Sequence, residues 1–186
     1  MTTATASVEE CTGEKLLAMP GGEAYELIDG ELVERPVGHE SDWIASLISH
    51  AFNSHVLPLD LGCVTGSQTG LQIFPGRPDH IPRPDVVFIA RDRLPGGRPF
   101  AGWVQVPPDI VVEVVSPNDL AANLDTKVAE YLQAGVRLVW VVVPETRRIH
   151  VYRPDGRDAT FGPADTITGE DVLPGFSALV ADLIPE

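Results

Sequence analysis

A strand, a helix and a second strand follow one another between residues 109 and 143, and this run limits the possible folds most. Residues 109–116 form an apolar run of strand length, and residues 136–143 form a second one that is apolar throughout. Between them lies an amphipathic segment, 119–134, which Asn118 or Asp119 can cap. A helix that joins two strands of one sheet makes them parallel, and an uninterrupted apolar strand is buried on both faces. The sequence therefore predicts an α/β (mixed α+β) domain around a central sheet.

The other elements follow from hydrophobic periodicity and turn residues. The pattern predicts helices over 7–19 (capped by Ser7), 38–57 (with Trp43 on its apolar stripe) and 177–183, a hairpin over 24–28 and 31–35, strands over 61–65, 70–74 and 84–90, a long loop over 91–108, and edge strands over 147–153 and 159–161. No linker or repeat divides the chain. We therefore expect a single domain over residues 1–186, with its core at about 23–183.

Composition excludes several classes of protein. The chain has 186 residues, is 44% apolar and carries a net charge of −14. No apolar run approaches the roughly 20 residues that span a bilayer, and the first residues lack the pattern of a signal peptide. Cys11 and Cys63 lack metal-type spacing, which favours free thiols and a cytoplasmic location. The acidity argues against a strongly basic nucleic-acid binder, although a local site that uses a metal stays open.

Two of the predicted strands each contain one acid, Asp85 and Glu113. A carboxylate inside a dry strand costs several kcal/mol unless it is paired, hydrogen-bonded or bound to a metal. Because side chains alternate along a strand, Asp85 shares a face with Val87, and Glu113 shares one with Val111. On adjacent strands the two acids could meet, and two carboxylates with a backbone carbonyl and waters suit Mg²⁺ or Mn²⁺. Simpler alternatives are that Asp85 caps a strand end and that Glu113 forms a structural ion pair.

Lys127 is one of only two lysines, against eleven arginines. It lies at the margin of the apolar stripe of the segment 119–134, and that helix must pack on the strand bearing Glu113. The ammonium could neutralise the carboxylates or stabilise charge on a phosphoryl group, or it could extend to solvent along its apolar stem. Glu31, His39 and Glu40 are weaker candidates for the edge of the same site.

Several segments together resemble the Uma2 family of the PD-(D/E)XK nuclease superfamily. They are Tyr25 to Glu34, His39, Arg83-Pro84-Asp85-Val86-Val87-Phe88-Ile89, Asp109 to Pro117, Lys127 to Val136, and Leu173-Pro174-Gly175-Phe176. The resemblance implies a restriction-endonuclease-like αβββαβ core with a mixed sheet flanked by helices, preceded here by an N-terminal hairpin. It also implies a catalytic acid at Asp85 and another at Glu113. The family pattern then has a lysine two residues on, where this chain has Val115; some similar proteins carry that lysine on the following helix, where Lys127 lies.

These observations lead to one expected function and two rivals. We expect a metal-dependent endonuclease in which Asp85, Glu113 and the Val114 carbonyl hold Mg²⁺ or Mn²⁺, and in which Lys127 orients water or stabilises the transition state. Nucleic acid, with DNA as the first expectation, would bind weakly without metal; no membrane partner is expected, and a homo-oligomer stays open. The rivals are a nuclease-fold binding or regulatory module that has lost turnover and a hydrolase of small phosphodiesters.

Overall fold

The computed structural model describes residues 11–35, 38–116 and 121–186, and a six-stranded mixed sheet forms its centre. The strands of this sheet are β3 Gly62–Gly66, β4 Val86–Ala90, β5 Ile110–Val114, β6 Leu138–Val143, β7 Arg148–Tyr152 and β8 Ala159–Phe161, in the spatial order β3-β4-β5-β6-β7-β8. Only β5 and β6 are parallel, and every other neighbouring pair of this sheet is antiparallel. The mixed α+β fold with a restriction-endonuclease-like core is the one that the sequence predicts.

The parallel pair and its crossover helix confirm the prediction for residues 109–143. Helix α3, Ala121–Gln133, joins β5 to β6, and the pairing runs from Ile110 opposite Leu138 to Val114 opposite Val142. Gly135, with φ of +98°, ends the helix in the left-handed conformation that glycine adopts most easily. The predicted cap residues Asn118 and Asp119 lie outside the described residues.

The sheet separates two hydrophobic cores. Helix α2, His39–Leu59, covers one face, where Phe52, Trp140 and Phe176 pack edge to face. Helix α3 covers the other face through Val128 and Tyr131. Residues of β6 contribute alternately to the two cores, as a strand buried on both faces must.

Two smaller antiparallel hairpins flank the sheet. The N-terminal one consists of β1 Tyr25–Ile28 and β2 Glu31–Glu34, and the C-terminal one of β9 Thr166–Gly169 and β10 Leu173–Leu179. Asp29 and Gly30 both have positive φ, which is the tight hairpin turn predicted for this dipeptide. Leu27 and Ile81 exchange backbone hydrogen bonds of 3.3 and 2.6 Å, so β1 is attached to the segment that leads into β4.

Three predictions about the first half of the chain need correction. The N-terminal helix α1 is only Gly13–Ala18, because Thr12 caps it by accepting the Lys15 N–H; the predicted cap, Ser7, lies outside the described residues. Residues 70–74 form no strand, since only Leu71 makes an isolated bridge, to Val104 in the long loop. Trp43 is 44% exposed and does not belong to the buried stripe of α2.

The second half differs in two places. Strand β7 lies inside the sheet between β6 and β8, so that of the two predicted edge strands only β8 lies at an edge. The closing helix α4 is reduced to Val180–Leu183, because residues 177–179 continue β10 and pair with β9. Within the described residues, no helix is both long and apolar enough to cross a bilayer.

Candidate metal and phosphodiester site

The structure brings Asp85 and Glu113 to one point on the sheet. Strands β4 and β5 pair antiparallel with Val86 opposite Val112, and one further step of this register places Asp85 opposite Glu113. Val87 and Val111, their neighbours two residues away, both belong to the core under α3. Side chains two apart share a face, so both acids lie on the α3 side, where they line a narrow cleft of about 60 Å³.

Backbone and side-chain donors orient Asp85. Its Oδ2 accepts the Val114 N–H at 2.7 Å, and its Oδ1 lies 3.7 Å from the Arg35 guanidinium. Burial raises the pKa of Asp85, although the Val114 N–H, Arg35 and Lys127 act against that rise. A charged Asp85 is therefore costly in this position unless a further cation is present.

Glu113 is buried more deeply than Asp85. Its Oε1 accepts the Tyr131 hydroxyl at 2.7 Å, and its Oε2 lies 3.7 Å from Lys127 Nζ. Burial raises the pKa of Glu113 to about 7, and the charges of Asp85 and Glu26 add to that rise. The same burial, together with the Glu113 charge, raises the pKa of Tyr131, so the phenol stays protonated and donates.

Lys127 turns toward the carboxylates from the margin of the buried face of α3. Its side chain is 28% exposed, and Nζ lies 3.2 Å from Glu26 Oε1 and 3.7 Å from Glu113 Oε2. Burial by itself lowers the pKa of Lys127, but the charges of Glu113 and Glu26 outweigh burial and raise it. The ammonium is thus held charged beside the acids and does not extend away from them into solvent.

Glu26 is the member of this cluster that the sequence reasoning missed. It is only 7% exposed, and its Oε1 accepts both the Arg83 N–H at 2.7 Å and the Lys127 ammonium. An acid between Tyr25 and Leu27 in a short predicted strand is the same signal that singled out Asp85 and Glu113. A charged residue in a short hairpin is usually exposed, and the attachment of β1 to the segment before β4 is what buries Glu26.

The three weaker candidates are less close to the cluster. Glu31 on β2 and Glu40 on α2 are both exposed, and neither lines the cleft. His39, at the first turn of α2, is also exposed but lines an adjoining cleft of about 440 Å³ together with Asp85.

A divalent cation fits this set of donors. Among the described residues, one oxygen of each carboxylate is fixed by a close donor, whereas Asp85 Oδ1 and Glu113 Oε2 face only cations 3.7 Å away. Charge-assisted bonds are normally about 2.7–2.9 Å, so these two oxygens keep free lone pairs. Over the part of the chain that the structure describes, no group of three or more His, Cys, Asp or Glu side chains forms a complete metal site. Mg²⁺ commonly takes only one or two carboxylates and completes its shell with water.

The raised pKa of Glu113 predicts a dependence of stability on pH. Since this pKa rises from 4.5 to about 7 on folding, the stabilisation is full below pH 4.5 and is lost as the pH increases to 7. The loss for this group is about 3 kcal/mol. We expect Glu113→Gln to remove that part of the dependence, measured by urea unfolding without metal between pH 5 and 8. Glu145→Gln, at an exposed position in the turn after β6, is the control; an unchanged pH profile in Glu113→Gln would contradict the prediction.

Comparisons with known proteins show the family and the fold of this chain. A family model, Uma2, described as "Putative restriction endonuclease", matches residues 14–182. A solved structure, titled as a putative nuclease belonging to DUF820 from Anabaena variabilis, is similar to this chain with a TM-score of 0.78 and 22% identity, over 93% of this chain and 97% of that one. A search of curated proteins finds no match. Because the family model covers most of the sequence, including β1, Asp85, Glu113 and Lys127, the chain belongs to the Uma2 family of restriction-endonuclease-like proteins.

Proposed function

We propose that this protein is a divalent-metal-dependent nuclease that hydrolyses phosphodiester bonds of nucleic acid, with DNA as the first substrate to test. One observation carries the proposal. The register of β4 and β5, continued by one residue, places Asp85 opposite Glu113. Among the described residues, a close donor holds one oxygen of each carboxylate, and the other oxygen faces only a cation 3.7 Å away. Family membership supports the same chemistry.

Each residue of the site has a separate role in the proposed reaction. The Val114 N–H and the Tyr131 hydroxyl fix the two carboxylates, so that Asp85 Oδ1, Glu113 Oε2 and the Val114 carbonyl are the proposed metal ligands. A divalent ion, when bound, activates water and polarises a phosphoryl oxygen. Lys127, held charged between Glu26 and Glu113, donates a hydrogen bond to the water or to the phosphoryl oxygen that gains charge. Lys127 thus takes the role of the lysine that the family pattern has at the position of Val115.

Acidic residues around the site explain why metal should be required even for binding. Two larger clefts adjoin the carboxylates, one of about 420 Å³ and one of about 440 Å³. Four acids line each cleft, against fewer cations. They are Glu26, Asp29, Glu34 and Glu130 in the first, with Arg77 and Lys127, and Glu23, Glu34, Asp42 and Asp85 in the second, with Arg35. The excess negative charge repels phosphate, and a bound cation would offset that repulsion.

The test is cleavage of plasmid DNA, single-stranded DNA, RNA and a dinucleotide with Mg²⁺, with Mn²⁺ and with EDTA. We expect cleavage only with a divalent ion, and DNA binding in EDTA at physiological salt to be weak. The acidic clefts favour a small phosphodiester as the second candidate, and cleavage of the dinucleotide alone would support it. A protein that is inert on every substrate with both ions would overturn the enzymatic proposal and favour a binding or regulatory module.

A further inference from the structure

A cavity of about 330 Å³ lies beside the carboxylate cleft, between α1, the edge strand β3 and the long loop 91–108. Its walls are polar and apolar in about equal parts, and the apolar part includes Leu16, Leu94, Phe100 and Trp103. The loop is attached to the rest of the fold at this point, because Trp103 donates to the Gly13 carbonyl at 3.0 Å and lines one side of the cavity.

Two residues that line this cavity, Arg83 and Thr65, each have a buried polar atom without a partner in the described part of the chain. Arg83 is 6% exposed, and its Nε has no hydrogen-bond partner among the described residues. The terminal nitrogens of the same guanidinium are bound to the carbonyls of Gln68, at 2.8 Å, and Gly22, at 3.3 Å. The buried Thr65 Oγ1 likewise lacks a partner in the described part of the chain. Unpaired buried donors are costly and indicate that a polar ligand or water completes the site.

Arg83 connects the cavity to the carboxylates. Its side chain lies over Trp103, 5.1 Å from the ring centre, and it lines both the cavity and the carboxylate cleft. Its backbone N–H holds Glu26, which in turn pairs with Lys127. A group in the cavity is therefore separated by one residue from the place where the scissile phosphate would lie.

We infer that this cavity binds a nucleobase of the substrate, turned out of its stack next to the bond that is cut. The inference rests on the proposed function for its choice of ligand. A base is neutral and planar, which suits a cavity that contains aromatic walls and only Glu23 and Arg83 as charged residues. The polar side chains that line the cavity, among them Arg83, Thr65 and Thr69, offer donors and acceptors to its carbonyl and ring nitrogens. The adjoining clefts, with four acids each, are less suited to it.

The first measurement uses the four free nucleosides with intact protein in EDTA, followed by NMR and by tryptophan fluorescence, with ribose as the baseless control. Thr69→Phe fills the cavity and Thr65→Val removes the hydroxyl with little change in shape, whereas Thr168, exposed on β9, gives the matched controls Thr168→Phe and Thr168→Val. We expect nucleosides but not ribose to bind, and both cavity variants to weaken binding by about tenfold or more. Thermal melts would verify that the variants fold.

The second measurement uses single strands with one abasic position next to the cleavage site. For wild type, one of these abasic positions should lower kcat/KM about tenfold relative to the intact strand. For Thr69→Phe, the intact and the abasic strand should be cleaved with similar kcat/KM. Nucleoside binding in a protein that cleaves nothing would keep the base site and overturn the nuclease proposal. Cleavage that ignores the abasic position, with no nucleoside bound, would overturn the base site and leave the nuclease proposal standing.

Discussion

Replacing Lys127 with alanine should lower the rate of metal-dependent cleavage by about 100-fold or more. The ammonium lies 3.2 Å from Glu26 and 3.7 Å from Glu113, and it is the only lysine among the residues lining the carboxylate cleft. Lys127→Arg should restore little activity, since a planar guanidinium cannot place one compact donor at the same point. The measurement is cleavage of plasmid DNA by wild type and both variants with Mn²⁺.

The fold should survive the loss of Lys127 because Glu113 can take up a proton. Its pKa is already about 7 with the lysine present, and removal of the cation raises it further. Thermal melts of Lys127→Ala should therefore lie closer to wild type at pH 6 than at pH 8. Lys15→Ala, at an exposed position on α1, is the matched control. Undiminished cleavage by Lys127→Ala would remove Lys127 from the mechanism.

Asp85→Asn should abolish both metal binding and cleavage without unfolding the protein. An asparagine oxygen can still accept the Val114 N–H that now donates to Asp85 at 2.7 Å, so the local backbone keeps its partner. Burial raises the pKa of Asp85, and a neutral amide avoids the cost of that buried charge. We expect the heat of Mn²⁺ binding to disappear in calorimetry, and the cleavage rate to decrease by about 100-fold or more.

The matched control for Asp85→Asn is Asp92→Asn, which changes an exposed aspartate just after β4. It should bind Mn²⁺ and cleave as wild type does. If Asp85→Asn kept full affinity for Mn²⁺, the two-carboxylate site would be wrong, whatever happened to cleavage. If it lost cleavage yet bound Mn²⁺ normally, Asp85 would act on substrate and not on the ion.

The sequence by itself determined those features that depend on local periodicity. The alternation of apolar residues around Asp85 and Glu113 indicated which neighbours share their face, and the register of β4 and β5 agrees with it. Helical spacing placed Lys127 at the margin of a buried stripe, which is where it lies. The crossover between β5 and β6 followed from the amphipathic segment that separates them. Two parallel strands need a connection of about that length.

Tertiary structure alone decided which distant groups meet these residues. Glu26 pairs with Lys127 across 101 positions of sequence, and no short-range pattern specifies such a contact. The hydrogen bond from the Tyr131 hydroxyl to Glu113 depends on how α3 packs on the sheet. From helical spacing alone, Tyr131 cannot be distinguished from any other apolar core residue. Residues 177–179 have a helical pattern yet form strand, because β9 offers them hydrogen-bond partners. Secondary-structure propensity contributes only tenths of a kcal/mol per residue, and side-chain packing and strand pairing outweigh it.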